Sequence, residues 1–181
     1  MQVIKSAKQP ALLKTLASDL LVYGQELHEY LGATCAKVLD GTEKGLTPSE
    51  AEVTAADMTK TESTGVSKFT GAGVRIANTN KMYFTFTPDT TKDVTVKING
   101  VDAEATDLGN GTWIVYSDGV AASQHSAYVT AELLEDSVSV VQTLSLSVNN
   151  YANAMKNDAT VGEVVTALYR YGAAAYAYKN S

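Results

Sequence analysis

Apolar residues near the start of the chain recur with the spacing of one face of an α-helix. Successive members are 3, 4, 3, 4 and 3 residues apart, which keeps their side chains on one narrow stripe. Pro10 precedes this run and Gly32 follows it, as is typical of the two ends of a helix. The pattern therefore predicts a helix over residues 11–31. The stripe consists of Leu13, Leu16, Leu20, Tyr23, Leu27 and Tyr30.

The same stripe returns near the end of the chain, 148 positions later, where Tyr23-Gly24 recurs as Tyr171-Gly172. A glycine inside a helix costs about 1 kcal/mol relative to alanine, so its recurrence suggests that another backbone approaches closely there. We therefore expect a second helix over 160–178 to lie beside the first. The two should cross near Gly24 and Gly172, with Tyr23 and Tyr171 in the contact. A linear array, in which each helix packs on an adjacent module, is the alternative.

Between the helices the apolar period changes from helical to two. Met82, Phe84 and Phe86 alternate with polar or smaller residues, and two further alternating runs are separated only by Asn99-Gly100, a strong hairpin signal. A last run from Val138 to Val148 is apolar at every second position except Gln142. Six or seven such strands over 66–148 predict an antiparallel, immunoglobulin-like β-sandwich.

The remaining segments complete an α+β organisation in four parts: 1–40, 41–65, 66–148 and 149–181. The part 41–65 is predicted as an acidic linker. Thr47, Pro48 and Glu50 indicate a short helix within it, over about 48–57. After the sandwich, Asn149 or Asn150 should cap a short helix through Met155. Thr160 should cap the last helix, with Glu163 three residues later.

Composition narrows the classes of partner. The chain has 181 residues, 45% of them hydrophobic and 19% charged, which is typical of a globular protein. A net charge of −6 argues against nucleic acid as a partner. No apolar run is long enough to span a membrane, so membrane insertion is not expected. Cys35 is the single cysteine, which excludes an intramolecular disulfide and a thiolate cluster, and it is predicted as a buried apolar residue.

Residue clusters that would support catalysis or metal binding are missing from the sequence. His28 and His125 are the two histidines, too few for a typical zinc site, and no Gly-x-Ser-x-Gly motif occurs. Acidic residues near the turns lack the spacing of a calcium loop. Gly71-Ala72-Gly73 is too short for a phosphate loop. The sequence therefore predicts a protein that is not an enzyme and has no cofactor or metal.

The C-terminal helix carries a phrase that resembles a module of exported and cell-surface proteins of gut Clostridia, of the Ruminococcus and Lachnospiraceae type. In those proteins a helix with a Tyr-Gly-Ala-Ala-Ala-x-x-Tyr phrase follows an all-β segment, and an upstream helix carries a degraded copy. Here the degraded copy runs from Leu20 to Tyr30, with Gln25-Glu26-Leu27 in place of the three alanines. The resemblance implies a secreted or cell-surface location, with this chain a piece of a larger exported protein. The C-terminal phrase is Tyr171-Gly172-Ala173-Ala174-Ala175-Tyr176-Ala177-Tyr178.

These observations favour a non-catalytic binding module that engages a host or partner protein, immunoglobulins being one candidate. The alternatives are a carbohydrate-binding or spacer module of a polysaccharide-degrading system, and a catalytic domain with an unrecognised site. Aromatic anchors carry a large share of the energy at protein interfaces. Tyr83, Tyr116 and Tyr128 lie opposite the aliphatic face of a strand or beside a turn, so we expect partner contacts to centre on them.

Overall fold

The computed structural model describes residues 9–33, 46 and 48–181. Three α-helices, one 3₁₀-helix and nine β-strands lie within this part of the chain, which confirms the α+β class. The helices are α1 (Pro10–Tyr30), α2 (Val148–Met155) and α3 (Gly162–Lys179), and the 3₁₀-helix is Ala122–Gln124. The strands are β1 (Thr59–Lys60), β2 (Lys68–Arg75), β3 (Lys81–Thr87), β4 (Val94–Ile98), β5 (Val101–Ala103), β6 (Thr106–Asp107), β7 (Trp113–Gly119), β8 (Val129–Glu135) and β9 (Ser139–Leu146).

The chain divides into two compact units. The sandwich unit comprises Ala56–Val120 and Ala127–Tyr151. The helical unit comprises the described residues of Met1–Ala55, Ala121–Ser126 and Ala152–Ser181. The 3₁₀-helix therefore belongs to the helical unit, although the sequence predicted an uninterrupted sandwich over 66–148.

The sandwich unit is built from two antiparallel sheets. Five strands form one sheet in the order β1-β9-β8-β4-β5, and four form the other in the order β2-β3-β7-β6. Six or seven strands were expected. Seven of the described strands have three or more residues, and the other two, β1 and β6, have two each. The apolar faces form a core whose fully buried large members include Phe69, Met82, Phe84, Phe86, Val115, Leu133 and Leu144.

The predicted hairpin and helix ends follow from local chemistry. Asn99 and Gly100 have φ values of 51° and 81°, and Ile98 pairs with Val101 across the turn, as a two-residue hairpin requires. Helix α1 begins at Pro10, and Gly32, with φ of 76°, follows its end. Cys35 and Thr47 lie outside the described residues.

The alternation predicted for the last strand is wrong at its first apolar residues. Val138 and Val140 were expected on the buried face, but Val138 is 80% exposed and Val140 is also exposed. Leu133 of β8 pairs with Gln142 but Leu134 pairs with Val140, so Val141 is an extra, bulged residue of β9. An extra residue in one strand reverses the side on which the following residues lie, so Val141 is buried instead.

Gln142, the exception in that apolar run, makes hydrogen bonds that the sequence pattern did not reveal. Its side chain is buried, and its Oε1 accepts a hydrogen bond from the Phe69 N–H at 2.6 Å. Its Nε2 donates to the Thr61 carbonyl at 2.8 Å. The amide thus joins β9 to β2 of the other sheet, and a buried polar group acquires the partners it needs.

The predicted short helix over 48–57 is wrong. Residues 48–58 contain no helix. In the helical unit, residues 48–55, here called the strap, are held by side chains of other elements. The Asn153 amide donates to the Ala55 carbonyl, Lys156 Nζ to that of Val53, Tyr169 Oη to that of Thr54 and Arg170 Nε to that of Ala51.

The starts of the last two helices also differ from expectation. Ser147 caps α2: its hydroxyl accepts from the Asn150 N–H, and the Asn150 Oδ1 accepts from the Ser147 N–H at 2.7 Å. This reciprocal pair has the form of a capping box. Thr160 does not cap α3: the N-cap residue is Val161, which makes no side-chain cap bond, and the Asp158 carboxylate accepts from the N–H groups of Thr160 and Val161 in the turn before the helix.

Candidate functional site

Two of the three tyrosines predicted as partner contacts lie together on the outer face of the four-stranded sheet. Tyr83 of β3 and Tyr116 of β7 are in direct register. Their ring centroids are 6.4 Å apart and their planes are inclined by 58°. Met82 and Phe84, the neighbours of Tyr83 along β3, point into the core, and Tyr116 is 41% exposed. The pair is therefore an aromatic surface on the side of the sheet opposite the core.

A glycine of β2 leaves room for the ring of Tyr83, which lies on the neighbouring strand β3. Gly73 is paired with Tyr83, and Gly71 with Thr85. A Cβ atom at Gly73 would lie 2.6 to 2.9 Å from the Tyr83 phenol, closer than van der Waals contact allows. Gly73 of the Gly71-Ala72-Gly73 segment thus leaves the space that the tyrosine ring occupies.

Tyr128 does not belong to this surface. It precedes β8, which lies in the five-stranded sheet, and it is 46% exposed. Its hydroxyl lies 3.5 Å from the Asn150 Nδ2. The structure therefore brings together Tyr83 and Tyr116 and leaves Tyr128 just before a strand of the other sheet, so the three do not form one site.

Strands β2 and β3, next to the tyrosine pair, carry a net positive charge. Strands β2 and β3 contain Lys68, Arg75 and Lys81 and no acidic residue. Arg75 and Lys81 stand directly opposite each other in the register. Acidic residues enter this sheet only on its other two strands, as Asp107 and Asp118. The tyrosine pair thus adjoins a local concentration of positive charge on a chain whose net charge is −6.

In the helical unit, α1 and α3 pack against each other as the repeated stripe predicted. The rings of Tyr23 and Tyr171 are stacked, with centroids 5.7 Å apart and planes inclined by 9°. The rest of the stripe on α1 is less buried than expected, because Leu13, Leu20 and Tyr30 are exposed. Tyr23 and Leu27 are its buried members.

The expected close approach of the two helices at their glycines is wrong. A Cβ atom at Gly24 would meet no atom of the described residues within 4 Å. At Gly172 the neighbour is the His125 side chain, whose Cγ would lie 2.9 Å from the added carbon. Gly172 is thus required by a residue of the 3₁₀ turn, while Gly24 adjoins open space.

His125 is the buried titratable group of the helical unit. It is 2% exposed, and its ring meets that of Tyr171 edge to face at 6.4 Å. Within the described part of the chain, neither ring nitrogen has a partner at full hydrogen-bond geometry. Burial lowers the pKa of His125 to about 4, and the nearby Leu168 carbonyl opposes this shift only in part. The ring is therefore neutral near pH 7.

The sandwich unit contains an ion pair between a buried glutamate and an exposed lysine, away from the tyrosines. Glu135 of β8 is 2% exposed, accepts from Lys92 Nζ at 2.7 Å, and also accepts from the Ser67 N–H at 2.8 Å. The Lys92 bond, followed by the Ser67 bond, lowers the pKa of Glu135 to about 2. This arrangement anchors the segments around Ser67 and Lys92 to β8, which is a structural role.

A group of three glutamates lies between α1 and α3. Oxygens of Glu26, Glu29 and Glu163 lie within 4.8 Å of one another. Beside them is a cavity of about 550 Å³ that is also lined by Lys156 and Arg170. Glu29 and Glu163 are exposed, and a solvated acidic group alone does not define a metal site.

Comparisons of the chain with protein-family models, curated proteins and solved structures returned no match. The described helices include none with the length and apolar character needed to cross a membrane.

Proposed function

We propose that this chain is a non-catalytic binding module of an exported or cell-surface bacterial protein. In this proposal the module engages a partner protein through the outer face of the four-stranded sheet. The observation that carries the proposal is the pair formed by exposed Tyr116 and partly exposed Tyr83, whose ring lies against Gly73 of β2. Tyrosines that combine a broad apolar ring with a polar hydroxyl are enriched at protein interfaces.

The order of the strands supports the immunoglobulin-like part of this proposal. In an immunoglobulin domain, strands A-B-E-D form one sheet and G-F-C the other, with C′ added beside C in the variable type. Taken in chain order from β2, the order β2-β3-β7-β6 corresponds to A-B-E-D, and β9-β8-β4-β5 corresponds to G-F-C-C′. Domains of this architecture commonly serve as cell-surface recognition modules.

The carbohydrate-binding alternative receives less support from the same geometry. A sugar ring stacks best on exposed aromatic rings that share a plane. Tyr83 and Tyr116 are inclined by 58°, so they do not offer such a plane. A protein side chain can pack into the angle between two tilted rings.

The experiment compares the Tyr83→Ala/Tyr116→Ala double variant with Tyr128→Ala, which removes an exposed tyrosine from the other sheet. Proteins captured from serum and mucosal secretions are identified by mass spectrometry, with immunoglobulins A and G assayed directly, and their affinities are then measured. Truncation at an interface hot spot costs about 2 kcal/mol or more, so we expect the double variant to bind roughly 30-fold more weakly.

Circular dichroism spectra of all variants should match that of the wild-type protein. The Tyr128→Ala control should keep its affinity. Unchanged binding by a folded double variant would reject this face as the partner site. Binding to an array of glycans that depends on the same two tyrosines, with no protein partner, would favour the carbohydrate-binding alternative.

A further inference from the structure

The positive charges beside the tyrosine pair lie on the same face of the sheet. Met82 and Val74 point into the core, so their strand neighbours Lys81 and Arg75 point outward together with Tyr83 and Gly73. Arg75 is exposed and Lys81 is partly exposed. The cations and the aromatic rings therefore form one continuous surface.

Arg75 and Lys81 are like charges that stand opposite each other on neighbouring strands. Like charges directly opposite each other on neighbouring strands are destabilising. The ion pairs among the described residues join Lys92 with Glu135 and Asp136, and Lys97 with Asp102. Neither Arg75 nor Lys81 takes part in them. An anion placed between the two cations would relieve the repulsion, and the guanidinium group of arginine matches the geometry of a carboxylate.

The position of β2 favours an extended polypeptide as the source of that anion. Strand β2 is at the edge of its sheet. The first half of its edge is already occupied, because the Phe69 N–H donates to Gln142 and the Phe69 carbonyl accepts from Lys60 Nζ. Beyond Phe69, the edge of β2 continues through Gly71 and Gly73 to Arg75. A polypeptide segment lying along this half would meet backbone groups, the tyrosine rings and the cations together.

We propose that the partner segment recognised by this face is an acidic polypeptide whose carboxylates are held by Arg75 and Lys81. This inference rests on the proposed function and adds the chemistry of the partner to it. The segment lies along β2 beyond Phe69, with a side chain packed on Tyr83 and Tyr116. Because the contact involves exposed charges, binding weakens as salt concentration rises.

The test uses isotope-labelled full-length chain and a poly-L-glutamate peptide as the probe, observed by nuclear magnetic resonance at low and at physiological salt. We expect shift changes at the amides of Arg75, Lys81, Tyr83 and Tyr116. The Arg75→Glu/Lys81→Glu variant should weaken binding about tenfold or more. Lys14→Glu/Lys179→Glu, which changes the net charge equally on exposed positions of α1 and α3, should bind like the wild-type protein.

The remaining outcomes overturn the inference. They are no shift changes with poly-L-glutamate, an equal loss in the Lys14→Glu/Lys179→Glu control, or heparin binding to this face without poly-L-glutamate binding. The last of these would assign the face to an anionic glycan.

Failure of this inference can be separated from failure of the proposed function. One outcome is a captured partner that binds the tyrosine double variant more weakly but binds Arg75→Glu/Lys81→Glu with unchanged affinity. This outcome would support the binding module and reject the acidic segment as its partner. A partner that binds both variants as it binds the wild-type protein would reject the face altogether.

Discussion

Gly24 and Gly172 occupy equivalent positions of the repeated stripe, yet their surroundings differ. A side chain at Gly24 would extend into open space, whereas one at Gly172 would overlap the buried ring of His125. The same residue in the same local pattern is thus required at one site and replaceable at the other.

We predict that alanine at the two positions has opposite effects on stability. Gly24→Ala should stabilise the protein by about 1 kcal/mol, because alanine is the better helix former. Gly172→Ala should destabilise it, because overpacking a buried site costs about 1 to 3 kcal/mol and exceeds that gain. Chemical denaturation of both variants measures the difference.

A double-variant cycle identifies the cause. In a His125→Ala background the obstructing ring is removed, so Gly172→Ala should lose its destabilising effect. A penalty that persists in that background would contradict the role given to His125.

We predict that His125 makes the stability of the helical unit depend on pH. Its pKa is about 4 in the folded protein, below the ordinary value of 6.5, so the folded state resists protonation. Above pH 6.5 the group has no effect, and as pH falls from 6.5 to 4 the unfolded state binds the proton first. The loss reaches about 3 kcal/mol near pH 4.

The measurement compares the free energy of unfolding of the wild-type protein and His125→Phe across this pH range. Phenylalanine keeps an aromatic ring against Tyr171 without a titratable nitrogen. The difference between the two proteins should therefore change with pH in the window from 6.5 to 4. A constant difference would show that His125 is as easily protonated in the folded state as in the unfolded state.

At the scale of elements, the strap shows why a good local helix signal can fail. Its carbonyl groups accept hydrogen bonds from side chains of α3 and of the segment before it, so they are satisfied without a helix. At its start, the Ser49 N–H donates to Asp19 of α1 at 2.7 Å. Burial raises the pKa of Asp19, while the Ser49 bond and Arg170 oppose that shift.

We predict that Lys156→Met/Tyr169→Phe loosens the strap. The double variant removes the hydrogen bonds to the carbonyls of Val53 and Thr54. Each is worth about 1 kcal/mol, so amide hydrogen exchange within residues 49–55 should accelerate roughly 30-fold.

The matched control is Lys179→Met/Tyr176→Phe, which makes the same chemical changes at exposed positions of α3. It should leave exchange in the strap unchanged. Equal exchange in the two variants would mean that the side-chain bonds do not hold the strap.

At the scale of the whole molecule, acid acts on the two units through different groups. His125 belongs to the helical unit, and the Glu135–Lys92 pair to the sandwich unit. The pKa of Glu135 is about 2 when folded, below its ordinary 4.5, so its contribution is complete above pH 4.5 and is lost as pH falls towards 2. The pKa of Asp19 is raised in the folded protein, so its effect on stability is opposite to that of His125. Protonation of Asp19 as pH falls favours the folded state.

We predict that substitutions at these groups move different parts of the acid unfolding profile. Trp113, the single tryptophan, lies in the sandwich unit, so its fluorescence reports that unit, while helical circular dichroism reports mainly the other. Other carboxylates also titrate between pH 4.5 and 2. Glu135→Gln should remove the part of the fluorescence change in this range that exceeds the part caused by those carboxylates. His125→Phe should change the helical signal at higher pH. A fluorescence profile unaltered by Glu135→Gln would contradict the role of the Glu135–Lys92 pair.

The features that could be predicted from sequence depend on residues a few positions apart. Pro10 and Gly32 mark α1, the Asn99-Gly100 turn needs the positive φ values that these residues tolerate, and strict alternation buries Met82, Phe84 and Phe86. The α+β class follows from such local patterns. So does the pairing of the two long helices, because an isolated amphipathic helix needs a partner for its apolar stripe.

What the tertiary structure decided depends on residues far apart in the chain. The bulge that exposes Val138, the bond from Tyr169 to the strap 115 positions away, and the ring of Tyr83 on Gly73 arise only when distant segments meet. The candidate surface belongs to this class, since register brought Tyr83 to Tyr116 and Arg75 to Lys81 and separated Tyr128 from them. Local sequence determines which conformations a segment prefers. The contacts between segments determine which preference is realised, because packing and hydrogen bonding across the chain exceed the small differences in local propensity.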